Sequence, residues 1–451
     1  MSGPGSTRDL AVARLSHAWE RVGSSYWFIP SLMAVAAAVA AIGMLAIDRR
    51  VPAEWLRELE WLYSGDADGA RDVLSTVGGS MITVAGVVFS ITIVVLSLAS
   101  SQFGPRLVRN FLRDTGNEVV FGTFIATFIY CLIVLRAVHG EGGESAFVPQ
   151  LSVTVGLGTG LLSLAVLIYF IQHIAASIRV ENVIHSASVD VGTTLDEIFP
   201  ARIGQDAGVV RVRPGDLERL EDAGTPYLVT AHRSGYFEHV DGTGLVALAA
   251  EEDVVFELVR RPGDFLATGE PVARVWHAGD RARELGDRLR ERLFIGRQRT
   301  TQHDLVAAVE RLTEIAARAI SPAVNDPFTA INCIDELSAS LARLATIEPP
   351  AAYRYDRTGR LRLIAVPVTF AEVLVAAYGP LRGYASGQPA VLTALLHGLA
   401  RIGRCTSDPA VRVALREEAG AVAEQIDASA LVETDRRRVK GQYEVVAAAL
   451  E

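Results

Sequence analysis

The stretch from Val73 to Pro105, VLSTVGGSMITVAGVVFSITIVVLSLASSQFGP, carries no Asp, Glu, Lys or Arg over thirty-three residues. No other feature limits the chain as much. The run is too apolar for a soluble amphipathic helix and exceeds the about 20 residues that cross a bilayer. As a helix it would be roughly 50 Å long at 1.5 Å per residue. Three further windows without ionic side chains, Val22–Ile47, Val119–Leu135 and Ser145–Ile178, are also long enough to cross. The first is not a secretory signal, because its apolar run and its leading segment are both too long. Four crossings return the chain to the side on which it began.

Arginine placement orients those crossings. Arg8, Arg14, Arg21, Arg106, Arg109, Arg113 and Arg179 fall in the segments assigned inside, and Arg49, Arg50, Arg57, Arg71 and Arg136 in those assigned outside. Short arginine-rich segments weigh most in such a balance. The expectation is a multi-pass protein of the bacterial inner membrane with both termini in the cytoplasm. The three cysteines, Cys131, Cys333 and Cys405, are odd in number and form no C-x-x-C pair, which suits a reducing compartment and no cysteine zinc site. A formal charge of −9 gives no reason to expect nucleic acid as a partner. Lys440 is the only lysine, so Schiff-base, P-loop or lipoyl chemistry has no other residue to use.

After Arg179 no charge-free window is long enough to cross. IRVENVIHSASVDVGTTLDEIF keeps apolar residues at Ile178, Ile184, Val191, Leu195 and Ile198, which predicts an amphipathic continuation of the fourth span. Gly204 to Gly215 reads as a linker or irregular strand region. From Ser234 to Trp276, short β-rich runs alternate with Gly and Asp turns. RRPGDFLATGEPVARV resembles half of the small barrel-sandwich fold of biotinyl and lipoyl carriers. It lacks the lysine to be modified, so a structural or docking role remains. An unrelated small meander is the alternative. Helical patterns follow from Asp280, interrupted by YRYDRTGRLRLIAVPV, a hairpin with a Thr358–Gly359 turn. Four more helices are expected after it, one with Asp408 as cap and Pro409 at its first position.

RQRTTQHDLVAAVERLTEIAARAISPAVNDPFTAINCIDEL, TVGGSMITVAGVVFSITIVVLSLASSQFGPR and the Gly-Asp-Phe segment together resemble a bacterial family of predicted membrane proteins, domain-of-unknown-function family 2254. The resemblance covers nearly the whole chain. It implies four spans and a cytoplasmic C-terminal domain, and it implies no activity.

Function must therefore be argued from the residues. In the second span Thr76, Thr83, Ser90 and Ser97 recur every seven residues, beside a companion row of Gly79, Gly86, Ile93 and Ser100. Met81, Val84, Val88, Ile91, Val95 and Leu98 occupy another face. A strict seven-residue repeat implies left-handed supercoiling against neighbouring helices. The seam of small and hydroxyl residues has two readings. It allows close helix packing, or it lines a wet pore, with Thr76, Gly79, Thr83, Gly86, Ser90 and Ser97 facing the lumen. Asp48, Glu54, Glu58, Glu60, Asp66, Asp68 and Asp72 would make the outer loop acidic, either as a cation-concentrating vestibule or as a solvated face. EWLRELEWLY there suggests an interfacial helix anchored by Trp55 and Trp61. Arg106, Arg109 and Arg113 share one inner face, as orientation signals or phospholipid contacts. His173 reads as an interfacial histidine.

In the soluble half, Pro322 should break one helix while Asp326 caps the next and Pro327 opens it. Arg297, Arg299, Asp304, Arg318, Asn325, Asp326 and Asp335 could surround that helix N-terminus as a ligand site. The competing reading is a rigid corner held by ion pairs. No catalytic motif, metal motif or cofactor is expected; the nine histidines are scattered and no H-E-x-x-H, G-x-S-x-G or P-loop pattern occurs.

The fold expected is a mainly α membrane protein, with four transmembrane helices plus a cytoplasmic α+β domain containing a small β-rich, barrel-like module. Its divisions are an N-terminal cytoplasmic segment over 1–21, the transmembrane domain over 22–178, a stalk helix and linker over 179–224, the β-rich module over 225–278 and a helical domain over 279–451. The function expected is a non-enzymatic, homo-oligomeric ion channel or pore, with membrane lipids, other copies of itself and inorganic ions as partners. The alternative is a non-conducting, membrane-anchored sensor or scaffold.

Overall fold

The computed structural model describes residues 27–51, 63–103, 115–139, 147–177, 179–198, 212–213, 215–222, 224–277 and 279–451. The N-terminal segment, the stretch with Trp55 and Trp61, Arg106, Arg109, Arg113 and most of the 204–215 linker lie outside these residues. The chain divides into two compact units, Met1–Asn182 and Val183–Glu451.

The first unit contains four helices long and apolar enough to cross a membrane: α1 (Phe28–Asp48), α2 (Ala67–Phe103), α3 (Thr115–Ala137) and α4 (Gln150–Ser177). They overlap the charge-free windows, since an apolar segment of that length can satisfy its backbone polar groups internally as a helix. The helix α3 packs against each of the other three. Half of its apolar window is buried, against 11% for α1 and 22% each for α2 and α4. It is therefore the centre of the unit, and the other three expose most of their surface. At one end Leu45, Leu74, Tyr130, Val134 and Val153 pack together; at the other Val88, Val95, Phe121, Phe124 and Phe170 do so.

Several polar groups inside this unit are paired across helices, which offsets the cost of placing them in an apolar surrounding. Thr127 Oγ1 and Ser163 Oγ lie 3.0 Å apart between α3 and α4, and the Tyr130 hydroxyl donates to Ser152 O. Asp48 was expected among the acidic residues of an outer loop. It is buried instead, and its carboxylate accepts from Leu151 N at 3.0 Å, Ser152 N at 2.9 Å and Ser152 Oγ at 2.5 Å. The last residue of α1 thus satisfies the free N–H groups of the first turn of α4. Asp66, Asp68 and Asp72 are exposed.

The amphipathic stretch after α4 forms the helix α5 (Val180–Ile198). Ile184, Ala187, Val191 and Leu195 are buried, and Val191 and Leu195 share an apolar crevice with Leu305, Val309, Leu341 and Val373. Asp190 pairs with Arg311 at 2.5 Å, Asp196 pairs with Arg343, and Ser188 Oγ donates to Glu336 at 2.6 Å. The apolar stripe that suggested an amphipathic helix is used for packing within the second unit.

The short helix α6 (Asp216–Asp222) leads into the β-rich part. Strands β1 (Tyr227–Thr230), β3 (Val255–Leu258), β5 (Pro271–Trp276), β7 (Tyr353–Tyr355) and β8 (Leu361–Ala365) form one sheet in the order β1-β5-β3-β8-β7. Strands β2 (Gly235–Val240), β4 (Phe265–Leu266) and β6 (Leu293–Gly296) form a second, ordered β4-β2-β6. The expected barrel does not form among the described residues. Both sheets are open, and the larger is extended by β8, which pairs parallel with β3, and by the 353–365 hairpin. Strands from beyond residue 278 therefore complete both sheets. The hairpin turn is at Gly359, whose φ of +79° suits glycine. The helices α7 (Gly242–Glu251) and α8 (Ala282–Arg290) pack on the larger sheet around Phe237, Leu245, Phe256, Leu289 and Ile295.

The remaining helices are α9 (Leu305–Ala319), α10 (Pro327–Leu344), α11 (Phe370–Tyr384), α12 (Pro389–Gly403), α13 (Pro409–Ala428) and α14 (Glu433–Leu450). The four after the hairpin match the expected number. Asp408 caps α13 by accepting from Ala410 N at 2.8 Å, with Pro409 in the first turn.

Candidate functional site

The faces of α2 are sharply divided. Ala70, Leu74, Ala85, Val88, Thr92 and Val95 are buried, spaced three, four or a multiple of turns apart as one helix face requires. Gly78 belongs to that face, where a Cβ would lie 3.3 Å from Cys131 Cβ. Thr76, Gly79, Thr83, Gly86, Ser90 and Ser97 are all exposed, away from α3 and α4. A Cβ built on Gly79 or Gly86 meets nothing within 4 Å, whereas one on Gly156 or Gly160 would come within 2.9 Å of a side chain of α2. Among the described residues the unit's packing thus uses Gly156, Gly160 and Gly78, and it leaves Gly79 and Gly86 unused. The Thr83 hydroxyl donates to Gly79 O at 2.9 Å, so its oxygen presents acceptor lone pairs outward.

The row of large apolar residues divides. Val88 and Val95 are buried and Met81 is partly so, but Ile91 and Leu98 are 41% and 45% exposed. A straight helix drifts by about 20° per heptad against a seven-residue repeat. The row through Val84, Ile91 and Leu98 starts at the edge of the buried face and passes out of it. The helix of α2 is about 55 Å long by its rise per residue, so it exceeds the apolar thickness of a bilayer of about 30 Å.

The arginine and aspartate residues of the soluble half fall into separate places rather than one pocket. Asp304 is buried and caps α9 by accepting from Ala307 N at 3.0 Å. Arg299 holds Asp304 at 2.6 Å and Glu310 at 2.7 Å. Gly263 lies directly over Asp304, where any Cβ would collide with the carboxylate. Arg318, Asn325 and Asp326 stand at the opposite end of α9, about 20 Å away by helical rise. There Asp326 caps α10, accepting from Thr329 N at 3.1 Å and Thr329 Oγ1 at 2.6 Å. The Thr329 hydroxyl, together with backbone N–H groups, holds its carboxyl below the usual carboxylate range. Asn325 takes a φ of +53°, and its N–H donates to Ser321 O. Asp335 is two turns further along α10 and pairs with Arg401 of α12 at 2.9 Å. Arg297 is exposed on the loop after β6. A 15-residue helix holds the two capping groups apart, which spacing in the sequence does not reveal.

One surface was not anticipated. On the outer side of the three-stranded sheet Tyr236 packs edge-on against Phe265 with ring centroids 5.2 Å apart. Beside them His239 stacks on Phe294 at 5.6 Å and lies tilted against His303 at 4.6 Å. Phe265 is 58% exposed and Phe294 42%. The alternation of Phe265 with buried Leu266, and of Phe294 with buried Leu293 and Ile295, was the available signal. It was obscured because those strands are short and distant in sequence.

Against known proteins, a family model described as predicted membrane protein (DUF2254) matches residues 23–401. An uncharacterized protein of Mycobacterium tuberculosis and one of Mycobacterium bovis are each 34% identical to the chain over 386 residues. Each match covers 84% of this chain and 72% of the relative. No solved structure matches the chain.

Proposed function

The chain belongs to the DUF2254 family of predicted membrane proteins, and from that premise we propose that it is a homo-oligomeric channel of the bacterial inner membrane. In this reading both termini are cytoplasmic, the second unit is the assembly or gating domain, and copies of α2 surround the axis. The observation that carries the reading is the seam from Thr76 to Ser97. It is the polar, small-residue side of α2, it faces away from the rest of its own unit, and two of its glycines touch nothing. Close approach of helices through small residues is how membrane helices associate. The Thr83 oxygen, with its donor already engaged by Gly79 O, is suited to a hydrated cation path without fixed charge. The role is non-enzymatic, and its partners are lipids, other copies of the chain and inorganic ions.

A second reading, a non-conducting sensor or scaffold, draws support from the flanks of the seam. Val87, Ile93 and Val94 are 55%, 49% and 63% exposed, as in a helix that meets lipid or another apolar helix. Conductance separates the two. Purified protein in planar bilayers should carry current, and Ser90→Leu should reduce it by about tenfold or more, since an apolar constriction closes by dewetting. Gly43→Leu is the matched control, because a Cβ there also meets nothing within 4 Å but lies on α1. Oligomers without current would favour the scaffold. A monomer at micromolar concentration in detergent and in membrane crosslinking would remove both the axis and the pore.

A further inference from the structure

The strongest unassigned feature of the second unit is a carboxylate set among exposed aromatic rings. Glu238 sits at an irregularity of β2, where the pairing with β6 slips between Phe237 and His239. An extra residue of this kind re-aims a side chain. Glu238 turns its carboxylate onto the space above Gly296, which a Cβ on residue 296 would occupy. Gly296 is the register partner of Tyr236, and Phe294 that of His239. The carboxylate is therefore flanked by the Tyr236–Phe265 pair on one side and the His239–Phe294 pair on the other.

Among the described residues Glu238 has neither a hydrogen-bond donor nor an ion-pair partner. Arg233 acts on Glu238 through space, but its guanidinium donates to Ile295 O. Burial pushes the Glu238 carboxyl up, against the pull of Arg233. An ionised carboxylate that is partly desolvated and unpaired is costly unless a cation meets it. Rings beside such a carboxylate offer their negative faces to the same cation. The ordinary arrangement for a surface glutamate is full solvation or an ion pair, and Glu238 has neither the exposure for the first nor the partner for the second.

The geometry points to a binding subsite for an organic cation, a guanidinium or alkylammonium group, held by Glu238 and by the rings of Tyr236, Phe265 and Phe294. A guanidinium fits best, because it is planar, stacks on rings and can bridge a carboxylate with paired N–H groups. The subsite is independent of the conduction reading, since it uses no residue of the membrane unit.

Isothermal titration of the full-length protein in detergent tests it, with N-acetyl-arginine-N-methylamide as probe. The neutral isostere N-acetyl-citrulline-N-methylamide and tetramethylammonium chloride separate charge from shape. Saturable binding of the arginine probe is expected, with at least tenfold weaker binding of the citrulline probe. Glu238→Gln should weaken the arginine probe about tenfold, and Phe265→Leu should weaken it several-fold. Glu444→Gln, on α14, should leave it unchanged. Thermal midpoints without probe confirm that each variant is folded, and Phe265→Leu keeps the test open if Glu238→Gln is not. Tetramethylammonium binding more tightly than the arginine probe would assign the site to alkylammonium ions. Equal binding of arginine and citrulline probes, no saturable heat up to millimolar concentrations, or full affinity in Glu238→Gln would overturn the proposal.

Discussion

The α2 seam and the turn between α9 and α10 both contain polar residues that invite a functional reading, and they resolve in opposite ways. At the turn the polar groups are directed inward and engaged. Asp326 caps α10, the Ser321 hydroxyl donates to Arg318 O, and the Gln388 amide donates to Ile320 O. On the seam the hydroxyl and glycine positions are exposed, and among the described residues nothing lies within 4 Å of a Cβ built on Gly79 or Gly86. Polar residues with partners within the chain explain a fold. Polar residues facing outward from an apolar unit need an explanation from outside the chain.

That contrast can be broken most severely at Asp48. Its carboxylate alone satisfies two N–H groups and a hydroxyl of α4. Asp48→Ala should lower stability by about 3 kcal/mol or more, since hydrogen bonds to charged groups contribute about 1.5–3 kcal/mol each, measured as the loss of thermal midpoint in detergent. An unchanged midpoint would mean that α1 does not hold α4.

The glycines give a sharper comparison at smaller magnitude. A Cβ on Gly122 would lie 2.5 Å from Met33 Sδ and 3.2 Å from Pro30 Cα, so Gly122→Leu should destabilise the unit by about 1–3 kcal/mol or more through overpacking. Gly79→Leu should leave the midpoint of a detergent-solubilised monomer nearly unmoved, yet shift the oligomer distribution seen by light scattering toward smaller species. Equal midpoint losses for both would place the seam inside the unit's own packing.

At the soluble corner Asp326→Ala should cost about 0.5–2 kcal/mol as a lost cap, read by thermal unfolding. Loss of a ligand-dependent stabilisation with no change in the unliganded midpoint would instead make Asp326 a ligand contact.

The smallest effect expected is on pH dependence. The Arg261 guanidinium, helped by the Thr369 N–H and hydroxyl, holds Glu372 down to about 2. A folded-state value below the unfolded one means stability that is present above the unfolded value and lost as pH falls toward 2. Glu372→Gln should flatten that part of the acid-unfolding profile, and an identical profile would show that the pair with Arg261 adds nothing. Both side chains are substantially exposed, so solvent limits the effect.

Much of the fold was legible in the residues. The four long apolar helices needed only the absence of charge, and the caps at Asp326 and Asp408 needed only an acid followed by proline. The Thr358–Gly359 turn needed only a glycine between two apolar runs. Each rests on forces acting within a few turns of the chain. The sheet order was not legible, because β3 pairs with β8 from about a hundred residues further on, and nothing local to Val255–Leu258 selects that partner. The same limit hid the docking of α5, whose apolar stripe was visible but not what it packs against. The seven arginine, asparagine and aspartate positions near SPAVNDP are close in sequence but not in space, because the rigid 15-residue α9 separates Asp304 from Asp326.

The sequence by itself determined which segments can lie in an apolar medium, where helices start, and that a row of small and hydroxyl residues runs along α2. Only the tertiary structure decided that this row faces outward, that Asp48 is a buried cap, and that Tyr236, Glu238, Phe265 and Phe294 share one surface. The physical reason is the range of the interactions. Apolarity and capping are properties of neighbouring residues. Which face of a helix is buried, and which strands lie side by side, depends on surfaces brought together from distant parts of the chain.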